Sequence, residues 1–365
     1  MSSTTELQRR DLADEYEHEP VPARARRSLT SIAAVWFGFP MNLGNGLTGA
    51  TLQGSLGWSA VLGAIIGGIL YTGVTIVGIR ALSWLGMIAA PLFIVLALVA
   101  LALGSAGTGN SSGDVMSYQG AGTALSFGAA ISIVIAGFAD SGTITADFTR
   151  WSTSGRSAVA ATFTAFPVAN FIAYAVGGLV VAVGGSADPA TQGGGFLNLL
   201  TGHGVALSAL AVVFVFINLG SVASHCLYNG AVGWSGITKL GMRPIAIALG
   251  IVGLIVAATG VWAYFLDWLN LLGIFVPPIG AVLIVDQLLL RRGSDVALAY
   301  RPTAFAAWIL GAAAATASHE LVPGSIDALV GIVAAAAGYT AMEAVVKYAA
   351  RRSTTAPAGV RADAA

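Results

Sequence analysis

Ten long apolar stretches make up most of this chain and constrain its fold more than any other feature. A helix needs about 20 apolar residues to cross the hydrocarbon core of a bilayer. Lipid offers no hydrogen-bond partners, so a spanning backbone must satisfy its own polar groups, as a helix does. Only 9% of the residues are charged, against roughly 25% in soluble domains. We therefore expect an all-α polytopic membrane protein with spans near residues 29–56, 58–79, 81–104, 122–149, 157–184, 204–236, 243–263, 266–290, 302–318 and 325–349.

The positions of lysine and arginine predict the topology. Basic residues lie in alternate connections, namely the leader, Arg80, Arg150 and Arg156, Lys239 and Arg243, Arg291 to Arg301, and the segment from Lys347 onward. The intervening connections contain none. By the positive-inside rule the basic connections are cytoplasmic. We therefore expect both termini on the cytoplasmic side of a bacterial-type inner (plasma) membrane. We expect a disordered cytoplasmic leader (1–28), a single transmembrane domain (29–349) and a cytoplasmic tail (350–365).

Most enzyme and nucleic-acid classes find no support in the composition. The formal net charge is zero, which argues against a nucleic-acid partner. The four histidines are too scattered to predict a metal-ligand cluster, and no nucleophile lies near a base. The residue pattern alone therefore predicts no catalysis, no cofactor and no obligate protein partner. The partner that it does predict is the lipid bilayer.

Two of the apolar stretches are interrupted by glycine and polar residues, over residues 36–49 and 136–147. Non-helical backbone survives at membrane depth only where it lines protein or a water-filled cavity. A pair of such interruptions in corresponding repeats indicates the substrate site of a transporter. Asn42 and Asn45 flank the first break, where freed carbonyl groups could coordinate a cation. The alternative is that the glycines there only allow close helix packing.

The second break contains Asp140, and an ionisable residue at membrane depth is usually functional. It could accept hydrogen bonds from a substrate amine or carry a proton; alternatively, it could be protonated and bonded to the exposed backbone. Phe138, beside the break, could stack on a planar ligand or simply pack within the bundle.

The sixth span carries polar residues on one face. Asn218 and Ser221 are three residues apart, and His225 is seven residues after Asn218, so the three share a helix face. That face could offer oxygen ligands to a cation and a ring nitrogen to a substrate or proton. The alternative for His225 is an interhelical hydrogen bond.

These residues resemble the cytosine and purine permeases of the nucleobase:cation symporter-1 family. The likeness runs from about residue 19 to 350, and its most specific piece is Gly142-Thr-Ile-Thr-Ala-Asp-Phe148. The leader from Glu19, Asn218-Leu-Gly-Ser221 and Pro277-Pro-Ile-Gly280 add to it. The resemblance implies an inverted five-plus-five helix-repeat fold and symport of a nucleobase with a proton or a sodium ion.

The resemblance also implies roles for single residues. It assigns Gly137, Phe138, Asp140 and Ser141 to the nucleobase pocket, with Phe138 stacking on the ring. To these we add Asn45 and His225 as substrate-site candidates. The cation site would comprise the carbonyl group of Asn42 together with Asn218 and Ser221. Val222 stands where the family often has a second hydroxyl, which makes proton coupling more plausible.

The likeness has a gap at Tyr71 to Val74, where about two of the usual twelve helices are missing. We therefore expect about ten spans. Two other functions stay open: a transport-inactive paralogue or ligand-binding sensor, and a permease for another flat heterocycle such as a hydantoin, allantoin or a vitamin ring.

Overall fold

The computed structural model describes residues 14–37, 60–109, 112–120, 127–185, 195–259, 264–290 and 300–355. Within these ranges the chain forms helices and no strand, apart from an isolated bridge between Arg27 and Ser152. This confirms the all-α prediction. The chain divides into two compact units, one of Met1–Gly120 and Thr145–Ala263, the other of Ala121–Ile144 and Tyr264–Ala365.

The helices of the first unit are α1 (Leu29–Phe37), α2 (Ala60–Val77), α3 (Ile79–Thr108), α4 (Ser112–Met116), α7 (Gly155–Phe163), α8 (Asn170–Ala182), α9 (Leu197–Leu200), α10 (Val205–Thr238) and α11 (Met242–Ala258). A π-helical stretch, Thr164–Ala169, joins α7 to α8. The second unit contains α5 (Phe127–Ala136), α12 (Phe265–Phe275), α13 (Pro277–Ile284), α14 (Pro302–Leu321) and α15 (Asp327–Thr355). The boundary between the units falls within α6 (Ala139–Thr149).

Five helical segments of the described chain are long and apolar enough to cross a membrane: Ile79–Thr108, Gly155–Ala182, Val205–Thr238, Trp268–Leu290 and Asp327–Ala349. Ile65–Val77 and Met242–Ala258 are shorter apolar helices. The predicted span 29–56 is described only as far as residue 37, and the span 122–149 is divided between α5 and α6. The alanine-rich α14, which covers the predicted span 302–318, is not among the five.

In the first unit, α1 packs closely on α3. The Ser31 and Ser83 hydroxyls are 3.1 Å apart, and the Ser83 hydroxyl also donates to the Ser31 carbonyl oxygen. Gly86 permits the approach, because a Cβ atom there would lie 1.9 Å from the Ala34 carbonyl oxygen. A small residue at the interface is the usual way for membrane helices to pack closely.

An aromatic cluster fills the core between α3, α9 and α10. The Phe196 ring contacts those of Phe93 and Phe214, with centroids 5.3 and 5.6 Å apart. All three side chains are buried. This cluster fixes the position of α10, whose next turns carry the polar residues of interest.

In the second unit, the break at Pro277 and Pro278 separates α12 from α13. Two prolines remove two backbone donors, and the Trp308 indole N–H donates to the Phe275 carbonyl oxygen at 2.8 Å. Further along, the buried Asp286 pairs with Arg301 and accepts a 2.6 Å hydrogen bond from the Tyr339 hydroxyl. The Phe275 carbonyl oxygen beside the break and the Asp286 carboxylate in π-helical Val285–Leu290 therefore have partners.

Of the leader that we predicted to be disordered (1–28), residues 14–28 are described, and they pack within the first unit, with Glu15, Tyr16 and Val21 all buried. Their partners come from distant turns of the chain, which a composition-based interpretation of a polar, charged segment could not reveal.

Replacing Gly86 with alanine should separate α1 from α3. The new methyl group would meet backbone that cannot move aside, so we expect a loss of roughly 1–3 kcal/mol. Gly107→Ala in the same helix is the control, since nothing lies within 4 Å of its added Cβ, and alanine is favoured over glycine in helices. Thermal unfolding of the two purified variants in detergent measures the difference. Equal melting temperatures would contradict the packing described.

Candidate functional site

Four polar side chains form a buried stripe on α10: Asn218, Ser221, Ser224 and His225. Each is 0% exposed. The spacing of three and four residues places them along one side of the helix. The structure therefore places Asn218, Ser221 and His225 together on one buried face of α10. Burying a polar group without a partner costs free energy. The hydrogen bonds of the stripe therefore show which of its groups have partners within the protein.

Part of the stripe is satisfied within α10 itself. His225 Nδ1 is hydrogen-bonded to the carbonyl oxygen of Ser221, one turn earlier. The Asn229 amide donates to the His225 carbonyl oxygen at 3.0 Å. By contrast, the Ser221 hydroxyl has no hydrogen-bond partner among the described residues.

Helix α2 satisfies the far end of the stripe. The Thr75 hydroxyl donates to the carbonyl oxygens of Tyr71 at 2.9 Å and Ser224 at 3.2 Å. The Ser224 hydroxyl donates to the Tyr71 carbonyl oxygen at 3.3 Å. Gly220 lets the Tyr71 ring lie against α10, because a Cβ there would be 2.8 Å from a ring carbon. Ser224 thus has a structural role at the contact between α2 and α10.

An aromatic cluster surrounds His225. The Phe148 ring at the end of α6 lies 5.1 Å from the His225 ring and stacks at 5.5 Å on Tyr228. The Trp36 ring on α1 meets Phe148 edge-on at 4.8 Å. The rings of Trp36, Phe148 and His225 thus bring α1, α6 and α10 into contact beside the polar stripe.

The second predicted break lies at Gly137 and Phe138, between α5 and α6. Both are in a turn, and the Gly142 amide donates to the Phe138 carbonyl oxygen at 3.2 Å as α6 begins. The break is thus shorter than the interrupted segment 136–147 that we predicted. Gly137 and Phe138 are half-buried, whereas Ser141 is fully buried in the first turn of α6. The positive end of a helix dipole favours partial negative charge there.

Other predicted site residues fall outside this description. Asn42 and Asn45 lie outside the described residues, as does the side chain of Asp140. The structure places Gly137, Phe138 and Ser141 in the second unit and the stripe of α10 in the first. The candidate residues therefore form two groups, one in each unit.

Sequence reasoning missed Tyr71, Thr75, Phe148 and Tyr228. One signal was available for Tyr228, which follows His225 by three residues and therefore continues the face of the stripe. No local pattern marks Tyr71 and Thr75, because their partners are about 150 positions away.

The stripe is suited to binding rather than to covalent chemistry. It presents hydroxyl, amide and imidazole groups and no carboxylate, and it is fully buried. Oxygen ligands suit hard cations. Because the hydroxyl and amide oxygens of the stripe are uncharged, no net charge is buried when no cation is bound. Such an arrangement fits a monovalent cation or a polar ring compound.

Residues 53–341 match a family model described as a permease for cytosine/purines, uracil, thiamine and allantoin. The cytosine permeases of Escherichia coli O157:H7 and of strain K12 are each 29% identical over 229 residues. The match covers 62% of this chain and 51% of each relative. The chain thus spans about half the length of the curated relatives it matches.

Two solved structures of Mhp1 have the same fold. The inward-facing conformation aligns with a TM-score of 0.63 at 20% identity, covering 88% of this chain and 74% of Mhp1. The closed conformation, of a nucleobase-cation-symport-1 family transporter with bromovinylhydantoin bound, aligns with 0.64 at 21% identity, covering 88% and 75%. This likeness confirms the predicted inverted-repeat transporter fold. Helix α2 runs unbroken through Tyr71 to Val74, where we predicted the two-helix gap.

Replacing Ser221 with alanine should affect stability differently from replacing Ser224. Ser224→Ala removes a hydrogen bond to α2, and we expect a loss of about 1 kcal/mol. Ser221→Ala removes a buried hydroxyl without a described partner, so stability should stay the same or rise. Unfolding of the ligand-free variants in detergent tests the pair. A larger loss for Ser221→Ala would show that its hydroxyl has a structural partner.

Proposed function

The chain belongs to the permease family for cytosine/purines, uracil, thiamine and allantoin, and we propose that it imports a nucleobase, cytosine or a purine, across the inner membrane. The proposed mechanism is alternating access, driven by symport of a proton or a sodium ion. The observation that carries the proposal is the match of residues 53–341 to this permease family.

The broken helix supplies the proposed substrate contacts. A planar base would lie on the ring of Phe138, and the backbone near Gly137 and the first turn of α6 would read its edge. Aromatic stacking suits any flat ring, and hydrogen bonds from a helix end add selectivity. The residues proposed for the substrate are Gly137, Phe138, Asp140, Ser141, Asn45 and His225.

The stripe of α10 supplies the proposed cation contacts. Asn218 and Ser221 offer oxygen ligands in a fully buried setting, and the carbonyl group of Asn42 would complete the set. Val222, next to Ser221, is buried and offers no oxygen ligand. Val222 stands where the family often has a second hydroxyl, so this sequence favours a proton over sodium as the coupling ion, and the His225 ring is the group of the stripe that could carry a proton.

A second function is a transport-inactive sensor that binds the ligand without moving it. The observation in its favour is the gap in the family likeness at Tyr71 to Val74, where helix α2 runs unbroken. A third is transport of another flat heterocycle. The family description includes thiamine and allantoin, and one Mhp1 structure holds bromovinylhydantoin.

Uptake by cells lacking their own permeases tests the proposal. We expect gradient-dependent accumulation of labelled cytosine, hypoxanthine or adenine, abolished by a proton uncoupler. Phe138→Ala should reduce uptake by about tenfold, because stacking on a base contributes roughly 1–3 kcal/mol. Phe171→Ala is the matched control, since that ring is 74% exposed on α8.

Three results separate the alternatives. Uptake of a hydantoin or of allantoin, but of no base, would change the substrate and keep transport. Thermal stabilisation by a base without uptake would favour the sensor. Neither uptake nor binding of any flat heterocycle would contradict the proposal.

A further inference from the structure

The leader places a carboxylate inside the helix bundle of the first unit. Glu15 is only 6% exposed, although it belongs to a polar segment ahead of the first helix. Its carboxylate accepts hydrogen bonds from the Ile79 amide at 3.2 and 3.4 Å and from the Tyr228 hydroxyl at 2.8 Å. A distant carboxylate thus caps the N-terminus of α3, where the helix dipole favours negative charge.

The local backbone is shaped around this carboxylate. Gly78 has φ of 87°, and a Cβ atom there would lie 1.7 Å from a Glu15 carboxylate oxygen. Only glycine accommodates both the left-handed conformation and the close approach. Tyr16, the next residue of the leader, is itself left-handed, with φ of 48°. A non-glycine residue persists in that conformation only where its surroundings hold it.

Several further contacts hold the leader in place. The Arg150 guanidinium donates to the carbonyl oxygens of Glu15 and Tyr16, both at 2.8 Å. The Tyr16 ring packs edge-on against Trp151 at 5.8 Å. The Arg27 amide donates to the Trp151 carbonyl oxygen at 2.7 Å. The leader therefore joins the start of α3, the middle of α10 and the segment that follows α6.

The carboxylate also connects to the polar stripe. Tyr228, its hydroxyl partner, stacks on Phe148, and Phe148 contacts the ring of His225. These contacts are continuous from Glu15 to the stripe. Movement of the leader would therefore alter the packing next to the proposed cation ligands.

We propose that Glu15 is a proton-binding site and that residues 14–28 form a latch which proton binding closes. This proposal rests on the proposed transport function, since helix ends must separate to open a transporter toward the cytoplasm. While docked, the leader holds the ends of α3 and of the segment after α6 against α10. The latch thus keeps that end of the first unit closed when protons accumulate there.

The electrostatics give the direction of the pH effect. Burial raises the pKa of Glu15 from 4.5 to about 7, against the opposing effects of the Tyr228 and Ile79 hydrogen bonds and of Arg27 and Arg150. The pKa of Arg27 is itself lowered, mainly by burial and in part by the positive charge of Arg80. Asp14, Glu17 and Arg243 line the adjoining surface cleft. Because the docked state binds the proton more tightly than the free leader, docking weakens as pH rises from about 4.5 to about 7 and stays weak above that.

A cysteine-accessibility experiment on the full chain in membranes tests the latch without requiring transport. The native Cys226 is first replaced with alanine. Val21→Cys then reports undocking, because Val21 is 4% exposed, and Arg24→Cys, at an exposed position, corrects for the pH dependence of thiol chemistry. The ratio of their labelling rates with a water-soluble maleimide should rise by about tenfold from roughly pH 5.5 to roughly pH 8.5.

Variants of Glu15 and Tyr228 make the test specific. Glu15→Gln keeps the shape of the protonated side chain, so its ratio should stay low at every pH. Tyr228→Phe keeps the ring stacking and removes the hydroxyl donor, which should leave the pH response in place with its midpoint moved to higher pH. A ratio that does not change with pH in the unmodified leader, or that responds equally in Glu15→Gln, would overturn the latch. Loss of uptake with intact pH-dependent labelling would instead contradict only the transport function.

Discussion

Every polar group at membrane depth must find its partner within the protein, and the rest of this structure depends on that requirement. It makes the chain helical, and it also explains where helices end. The break at Pro277 frees the Phe275 carbonyl oxygen, which the Trp308 indole N–H satisfies. The buried Asp286 is paired with Arg301 and Tyr339. Some buried side-chain atoms, the Ser221 hydroxyl on α10 among them, have no hydrogen-bond partner among the described residues.

Much of the fold follows from the sequence because periodicity and apolar length are local properties. The helical character of the described spans and the break beside Gly137 could both be predicted from composition along the chain. The common face of Asn218, Ser221 and His225 could be predicted as well, since it needs only the geometry of one helix. Likeness to known permeases supplied the repeat architecture, which no local pattern contains.

The contacts of Glu15 show what local reasoning cannot reach. A polar, charged segment ahead of the first span predicts disorder. The Glu15 carboxylate nevertheless accepts hydrogen bonds from Ile79 and Tyr228, which lie 64 and 213 positions away. Gly78 gave no warning, because a glycine between two apolar runs is common in membrane helices. The same limit applies to Tyr71 and Thr75, whose partners on α10 are brought close only by the packing of α2.

The two groups of candidate residues both fit the proposed transport function. The oxygen-rich stripe of α10 would bind the coupling ion, and the broken helix at Phe138 would bind the ring. Residues 14–28 add a response to protons at one end of the first unit. None of these roles requires covalent chemistry, and all depend on helix ends that separate and close.

Purified protein in sealed proteoliposomes gives the most direct test of the central claim, because no other transporter is present. With an imposed proton or sodium gradient, the account predicts that labelled cytosine or a purine accumulates above its external concentration, and that dissipating the gradient releases it. If well-folded protein shows no accumulation of any base, hydantoin or allantoin under either gradient, the account is contradicted.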